Sequence, residues 1–299
     1  MLSTAFNSLV SMMRARPVVR DATIAELRDR FERMTPLLGA PPSGVRITQE
    51  ILAGRNAERY TPVGAPNDAV VLFFHGGGYC IGSLNTHRSF VARLAEASGV
   101  TWIAFDYRLA PEHRFPGAVD DAMAAYRALR REGHTAKRIV IAGDSAGGGL
   151  TLAAIAALRD SGDALPVAGV CLSPWTDLAM AGASIDSKAP EDPMLAPWEL
   201  HAFARHYLNG ADARNSLASP LYADYRGFPP LLIHVGDAEI LRDDSTRLAQ
   251  RARDAGVAVT FLLEAELVHV WHFFAALIPE GEDGLRKVGE YVRAKVGER

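Results

Sequence analysis

The sequence predicts an α/β fold built on one mostly parallel sheet. Short, almost wholly apolar runs alternate with longer segments that carry apolar residues at helical spacing. Strands that are apolar at nearly every residue are buried on both faces, which requires helices on both sides of the sheet. Eight segments have strand character: 45–52, 58–63, 70–74, 101–105, 138–142, 167–172, 231–235 and 257–263.

The composition is that of an ordinary globular chain and excludes several function classes. With 48% hydrophobic and 22% charged residues among 299, it is not a disordered chain. A formal net charge of −3 leaves no basic footprint for nucleic acid or an anionic membrane. No apolar run approaches the ~20 residues of a membrane span. Cys80 and Cys171 form neither a disulfide framework nor a metal-ligand pattern, and no secretory signal begins the chain, so we expect a cytoplasmic protein with reduced thiols.

Helical segments account for most of the remaining chain. Thr23 and Glu26 have the spacing of a capping box before a helix that ends near the breaker at 38–42. Further helices are predicted at 86–97, 118–131, 146–158 and near 198–207. Residues 177–220 contain no strand-like run and several Pro and Gly residues, which indicates an insertion that lies over the sheet.

The segment Gly143–Asp144–Ser145–Ala146–Gly147 fits the pattern G-x-S-x-G. It follows an apolar strand and opens a helix, which is the context of a nucleophile elbow. Glycine on both sides allows the sharp turn, and the N-terminus of the following helix favours negative charge at the serine. Ser145 is therefore the candidate nucleophile.

A second glycine-rich segment, His75–Gly76–Gly77–Gly78, ends an earlier strand. Glycine frees the backbone to turn N–H groups into a cavity, so Gly76 and Gly77, together with Ala146, are the predicted oxyanion donors. A tight turn that merely uses glycine is the structural alternative. A phosphate-binding loop lacks support because no Lys-Ser/Thr follows.

These motifs resemble the bacterial hormone-sensitive-lipase family of α/β-hydrolase esterases. The matching segments are FFHGGGYCIGS (73–83), DYRLAPEHRFPGAVDDA (106–122), GDSAGG (143–148), DPML (192–195) and the tail 229–273. The resemblance implies an α/β-hydrolase core at 46–176 and 221–299 and a helical cap from 1–45 and 177–220. It also implies hydrolysis of short carboxylic esters, a small-molecule substrate and no cofactor. A homodimer through the last strand and its neighbouring helix, and cis bonds before Pro111 and Pro116, are further expectations.

The catalytic base should be one of the nine histidines and should follow the acid in the chain. Only His269 and His272 follow the last strand-like run. His269 comes first, where the family places its catalytic histidine. His272 lies among Trp271 and Phe273, and we expect it to pack at the start of a helix.

The acid is predicted in the loop after the strand 231–235. Relatives have an aspartate there, whereas this sequence has Glu239 at the equivalent position. Asp and Glu exchange in this role, so Glu239 is the predicted partner of His269. Asp237 and Asp243 remain alternatives, although Asp243 and its neighbour Asp244 are expected to cap the next helix or face solvent.

Five residues are candidates to contact substrate: Tyr79, Asp144, Met194, Trp198 and Phe203. Core packing is the alternative for the four hydrophobic ones, and support of the elbow is the alternative for the aspartate. The same triad would also cleave amides or thioesters. A non-enzymatic receptor, as in the plant gibberellin receptors that resemble this family, is disfavoured because serine, acid and histidine are all present.

Overall fold

The computed structural model describes residues 2–15 and 20–297. Eight strands form one sheet in the order β1-β2-β4-β3-β5-β6-β7-β8. They are β1 Val45–Leu52, β2 Arg55–Pro62, β3 Val70–Phe74, β4 Thr101–Phe105, β5 Ile139–Asp144, β6 Ala168–Leu172, β7 Leu231–Gly236 and β8 Val259–Glu264. Strand β2 pairs antiparallel with β1 and β4, and every other pair is parallel. The predicted mostly parallel sheet is confirmed.

Helices cover both faces of the sheet. They are α1 Thr4–Arg14, α2 Ile24–Met34, α3 Leu84–Ser98, α4 Gly117–Arg131, α5 Ala146–Asp160, α6 Ser184–Ser187, α7 Pro197–Leu208, α8 Arg242–Asp254 and α9 Pro279–Gly297. Alternate residues of β5 enter two different cores. Ile139 and Ile141 pack with α4, α5 and α8, whereas Val140 and Ala142 pack with α3 and α9. This two-sided burial explains why the central strands are apolar throughout.

The first helices and the insertion lie close to each other. Thr23 and Glu26 form the predicted capping box, with the Glu26 N–H 3.2 Å from Thr23 Oγ1. Residues 177–220 contain no strand and carry α6 and α7. The Arg14 guanidinium donates to the carbonyl oxygens of Pro190 at 3.1 Å and Glu191 at 2.8 Å. The end of α1 therefore contacts the insertion directly.

The sheet topology brings the candidate residues to one edge. The segment after β3 holds the three glycines, the segment after β5 holds Ser145, and the segments after β7 and β8 hold Glu239 and His269. These four strands run parallel, so their carboxyl ends meet at the same edge. The peptide bonds before Pro111 and Pro116 are cis, as the resemblance predicted. No helix within residues 2–15 and 20–297 is both long and apolar enough to cross a membrane.

Candidate active site

Ser145 lies at a strained turn between β5 and α5. Its φ of 51° and ψ of −120° are rarely adopted by a residue with a side chain. The turn is held in place because the Ser145 N–H donates to Leu172 O at 2.8 Å and its carbonyl accepts from Trp175 N at 2.9 Å. A side chain at Gly143 would collide with the Gly147 carbonyl, which is why the elbow needs glycine there. The backbone thus presents the Ser145 side chain at the sheet edge.

The glycine loop lies beside this serine. Gly77 and Gly78 have φ of 112° and 59°, and a side chain on either would collide with Ile81 or the Phe203 ring. The Gly76 N–H donates to Asp144 Oδ1 at 2.9 Å. The prediction that Gly76 supplies an oxyanion donor disagrees with this bond, because its only N–H is already taken.

Three other N–H groups remain as donors near Ser145. Across residues 2–15 and 20–297, no protein acceptor binds the N–H of Gly77 or Gly78. Ala146 is the first residue of α5, where a backbone N–H has no acceptor within the helix. Within the described chain, the N–H groups of Gly77 and Gly78 in this loop are therefore unbonded, whereas that of Gly76 is bonded to Asp144.

Asp144 is enclosed beneath the glycine loop. Its side chain accepts the Gly76 N–H and lies 3.6 Å from His87 Nε2. The residue is only 4% exposed. These contacts brace the glycine loop, whereas from the sequence we expected support of the elbow as the structural role. Contact of Asp144 with substrate stays a prediction.

Glu239 and His269 form a short hydrogen bond. His269 Nδ1 lies 2.6 Å from Glu239 Oε2. The other oxygen, Oε1, accepts from Ser173 Oγ at 2.8 Å and from the Gly236 N–H at 2.7 Å. The Val270 N–H donates to the same Ser173 Oγ at 3.1 Å. Both the carboxylate and the backbone beside the imidazole are therefore fixed.

Sequence reasoning missed Ser173. It directly follows β6, the strand between the one that carries Ser145 and the one that precedes Glu239. The sequence did contain a signal for it. Ser173 is a polar residue at the carboxyl end of a strand, and both neighbouring strands lead into residues of the candidate site.

The two alternative acids have other partners. Asp237 lies 3.5 Å from Lys188 Nζ and 3.4 Å from Arg242 Nη1. Asp243 accepts the Ser184 N–H at 3.0 Å. The structure therefore brings Glu239, and neither aspartate, into hydrogen-bond distance of His269.

Asp244 differs from its expected exposed position. It is fully buried and accepts the N–H groups of Thr176 at 2.7 Å and Asp177 at 2.9 Å. Burial raises the pKa of Asp244 to about 7. The expectation that Asp244 either caps the next helix or faces solvent was wrong, because this buried side chain makes no cap hydrogen bond and instead joins α8 to the start of the insertion.

The electrostatics of His269 follow from its surroundings. Burial alone would lower the pKa of His269, but the charge and hydrogen bond of Glu239 outweigh burial and raise it above the usual 6.5. His272, by contrast, is buried and shares a 2.9 Å hydrogen bond between its Nε2 and His234 Nδ1. Burial holds the pKa of His272 well below its usual value. Of these two histidines, His269 is the one paired with an acid, as a general base requires.

The four hydrophobic candidates for substrate contact differ in burial. Tyr79 is buried and stacks on Tyr207 with ring centroids 3.9 Å apart. Phe203 is buried against Gly78, whereas Met194 and Trp198 are partly exposed. Contact of these four side chains with substrate stays a prediction.

Comparison with known proteins agrees with this geometry. The family described as having the alpha/beta hydrolase fold matches residues 71–273. The chain belongs to the α/β-hydrolase family. An acetyl-hydrolase of Streptomyces hygroscopicus is 42% identical over 270 residues, which cover 90% of this chain and 89% of the relative.

Two solved structures place the chain more narrowly. The crystal structure of an esterase from the bacterial hormone-sensitive lipase family is 40% identical, covers 99% of this chain and 100% of its own, and superposes with a TM-score of 0.95. EstE5, crystallised and soaked with p-nitrophenyl butyrate, is 38% identical with the same coverage and a TM-score of 0.95. The chain is a carboxylic ester hydrolase of the bacterial hormone-sensitive-lipase type.

Proposed function

We propose that the chain hydrolyses short-chain carboxylic esters through an acyl-enzyme on Ser145. The observation that carries the proposal is the 2.6 Å bond between His269 and Glu239 at the sheet edge that also holds the strained Ser145 turn. Ser145 Oγ attacks the ester carbonyl while His269 takes its proton. The same proton then passes to the leaving alcohol. Water, deprotonated by His269, attacks the acyl-enzyme and releases the carboxylic acid and free Ser145.

Glu239 and the backbone N–H groups stabilise the charges that develop. Glu239 holds the imidazole with its proton on Nδ1 and stabilises the imidazolium. We assign the oxyanion donors to Gly77, Gly78 and Ala146, since Asp144 occupies the Gly76 N–H. Losing one such donor typically costs ~10²–10³ in rate.

The preference for short acyl groups rests on enclosure of the site. Ser145 and His269 are only 8% and 4% exposed. We propose that residues 1–45 and 177–220 form the cap that encloses them, and the bonds from Arg14 to Pro190 and Glu191 support this unit. The name of the acetyl-hydrolase relative and the butyrate ester with which the EstE5 crystal was soaked both refer to short acyl groups. A homodimer and a cytoplasmic location stay predictions.

The test is steady-state hydrolysis of p-nitrophenyl esters from acetate to palmitate. We expect the short esters to be cleaved fastest and Ser145→Ala to lose activity by ~10³ or more. Ser216→Ala, at an exposed serine, is the matched control and should keep full activity. A serine-directed organophosphate should label the wild type once and Ser145→Ala not at all. Cleavage of amides or thioesters but of no ester would redirect the proposal to those bonds, and labelling without any turnover would contradict it.

A further inference from the structure

The segment Asp192–Leu195 supplies no group to the proposed reaction, although Asp192 contacts the residue that follows Glu239. Asp192 belongs to the insertion and is only 8% exposed. Its Oδ1 accepts the N–H groups of Met194 at 2.8 Å and Leu195 at 3.0 Å. Its Oδ2 accepts the N–H of Ile240 at 3.0 Å. One buried carboxylate thus joins the insertion to the residue that follows Glu239.

The bond to Ile240 constrains the backbone of the acid loop at the residue that directly follows Glu239. Glu239 begins a turn in which the Arg242 N–H donates to its carbonyl at 3.2 Å. Its side chain is held by Ser173 and Gly236, but the backbone of the turn is held toward the insertion by Asp192. A shift of that turn would change the 2.6 Å contact with His269. Misplacement of a catalytic group by ~1 Å can cost 10²-fold in rate.

Asp192 also contributes negative charge at the site. Within the described ranges 2–15 and 20–297, its hydrogen-bond partners are three backbone N–H groups and no cation. Its charge lies near enough to His269 to raise the pKa of that imidazole, as a smaller contribution after burial and Glu239. Burial raises the pKa of Asp192 itself, and the field of His269 and the three N–H groups oppose that rise.

We propose that Asp192 is a positioning residue. By accepting the Ile240 N–H, it fixes the turn that begins at Glu239, so the insertion helps to hold Glu239 at hydrogen-bond distance from His269. The inference rests on the proposed function. The alternative is an aspartate that only folds its own segment, since two of its three bonds are to residues two and three positions away. The third bond spans 48 residues and distinguishes the two roles.

Two substitutions separate position from charge. Asp192→Asn is nearly isosteric, removes the charge and leaves at least one of the three N–H groups without an acceptor. Asp192→Glu keeps the charge and displaces the oxygens by about one methylene. Glu191→Gln is the matched control, since Glu191 is the exposed neighbour of Asp192 and its loss makes the same change in charge.

The measurements are kcat and KM for a p-nitrophenyl ester and the pKa of His269 by NMR. We expect Asp192→Asn to lower kcat by ~10–100-fold with KM within about 2-fold, because the substrate is not touched. It should also lower the pKa of His269, whereas Asp192→Glu should lower kcat and leave that pKa raised. Glu191→Gln should change neither.

Each other outcome decides against the proposal. Wild-type kcat in Asp192→Glu overturns it, and this variant serves if Asp192→Asn does not fold. Organophosphate labelling measures the fraction of the protein that has a reactive serine. If this fraction falls in Asp192→Asn by the same factor as kcat, Asp192 only folds the insertion. If the wild type cleaves no ester, the proposed function fails, but NMR still tests Asp192: an unchanged pKa of His269 in Asp192→Asn would then overturn its influence on the pair.

Discussion

Two buried histidine–carboxylate pairs lie close together in this molecule, and they differ in geometry. His269 and Glu239 are 2.6 Å apart, whereas His87 Nε2 and Asp144 Oδ1 are 3.6 Å apart. All four residues are at most 4% exposed. Burial and the pairing of an imidazole with a carboxyl group are therefore common to both pairs, and they do not decide which pair can transfer a proton.

The difference lies in what else each residue binds. Asp144 Oδ1 accepts the Gly76 N–H, and His87 Nδ1 is bonded to Thr86 Oγ1 at 2.8 Å. The His87 ring packs edge-on against Phe31 and Phe273 at 5.7 and 5.1 Å. His87 is thus held by the start of α3 and by aromatic rings. His269 takes its orientation from Glu239, which leaves its Nε2 for chemistry.

The largest effect should come from Glu239→Gln. Loss of the charge should lower kcat/KM by ~10²–10⁴, as for related triads in which the acid becomes an amide. A base acts only when neutral, so a raised pKa places the acid limb of the pH profile at higher pH. Removing Glu239 should therefore move that limb to lower pH. The measurement is kcat/KM from pH 5 to 9, with Asp237→Asn as the matched control that changes nothing.

Near-normal activity in a folded Glu239→Gln would contradict the assignment of the acid. If kcat/KM falls but the acid limb of its pH profile does not move, Glu239 orients His269 without raising its pKa.

Asp144→Asn should have an intermediate effect. Asparagine can still accept the Gly76 N–H, but a neutral acceptor holds the glycine loop less firmly than a carboxylate does. We expect kcat to fall by ~10-fold, less than the ~10²–10³ that follows loss of an oxyanion donor. The acid limb should move less than in Glu239→Gln, because the Asp144 charge is the smaller influence on the pKa of His269. A loss as large as that of Glu239→Gln would mean that Asp144 contacts the reacting atoms.

His87→Gln should have the smallest effect on activity. The ring lies outside the proposed chemistry, so kcat/KM should stay within roughly 3-fold of the wild type. Loss of the Thr86 bond and of the contacts with Phe31 and Phe273 should lower the free energy of unfolding by ~1–2 kcal/mol. Urea unfolding alongside ester hydrolysis measures both. If His87→Gln lowered kcat/KM without changing the free energy of unfolding, the His87–Asp144 pair would be functional rather than structural, and the proposed difference between the two pairs would be wrong.

The same comparison explains what the sequence could predict. Ser145 and His269 lie where the order of strands and motifs places them, and Glu239 follows from its place after β7. The glycine at 143 and the elbow are local features that one strand, one turn and one helix determine. Such features are readable because the residues that cause them are neighbours in the chain.

The remaining features depend on distant contacts. The Gly76–Asp144 bond spans 68 residues, the Ser173–Glu239 bond 66 and the Asp192–Ile240 bond 48. Each follows from the packing of two loops whose relative position no local pattern encodes. For this reason the sequence alone indicates neither that Asp144 binds the Gly76 N–H, which we predicted as an oxyanion donor, nor that Ser173 binds Glu239.

The contacts of α1 with distant parts of the chain delay the point during synthesis at which this helix can reach its native position. Ser3 binds Glu280, 277 residues later, and Arg14 binds the carbonyl of Pro190 after 176 residues. At translation rates of ~5–20 residues per second, the start of α1 waits on the order of 10–60 s for its partner. Throughout that time Phe6, Leu9 and Met13, the buried residues of α1, lack the part of their core that α9 contributes. The nascent chain therefore carries incompletely covered apolar side chains on α1 until α9, which follows every residue of the esterase site in the chain, has been made.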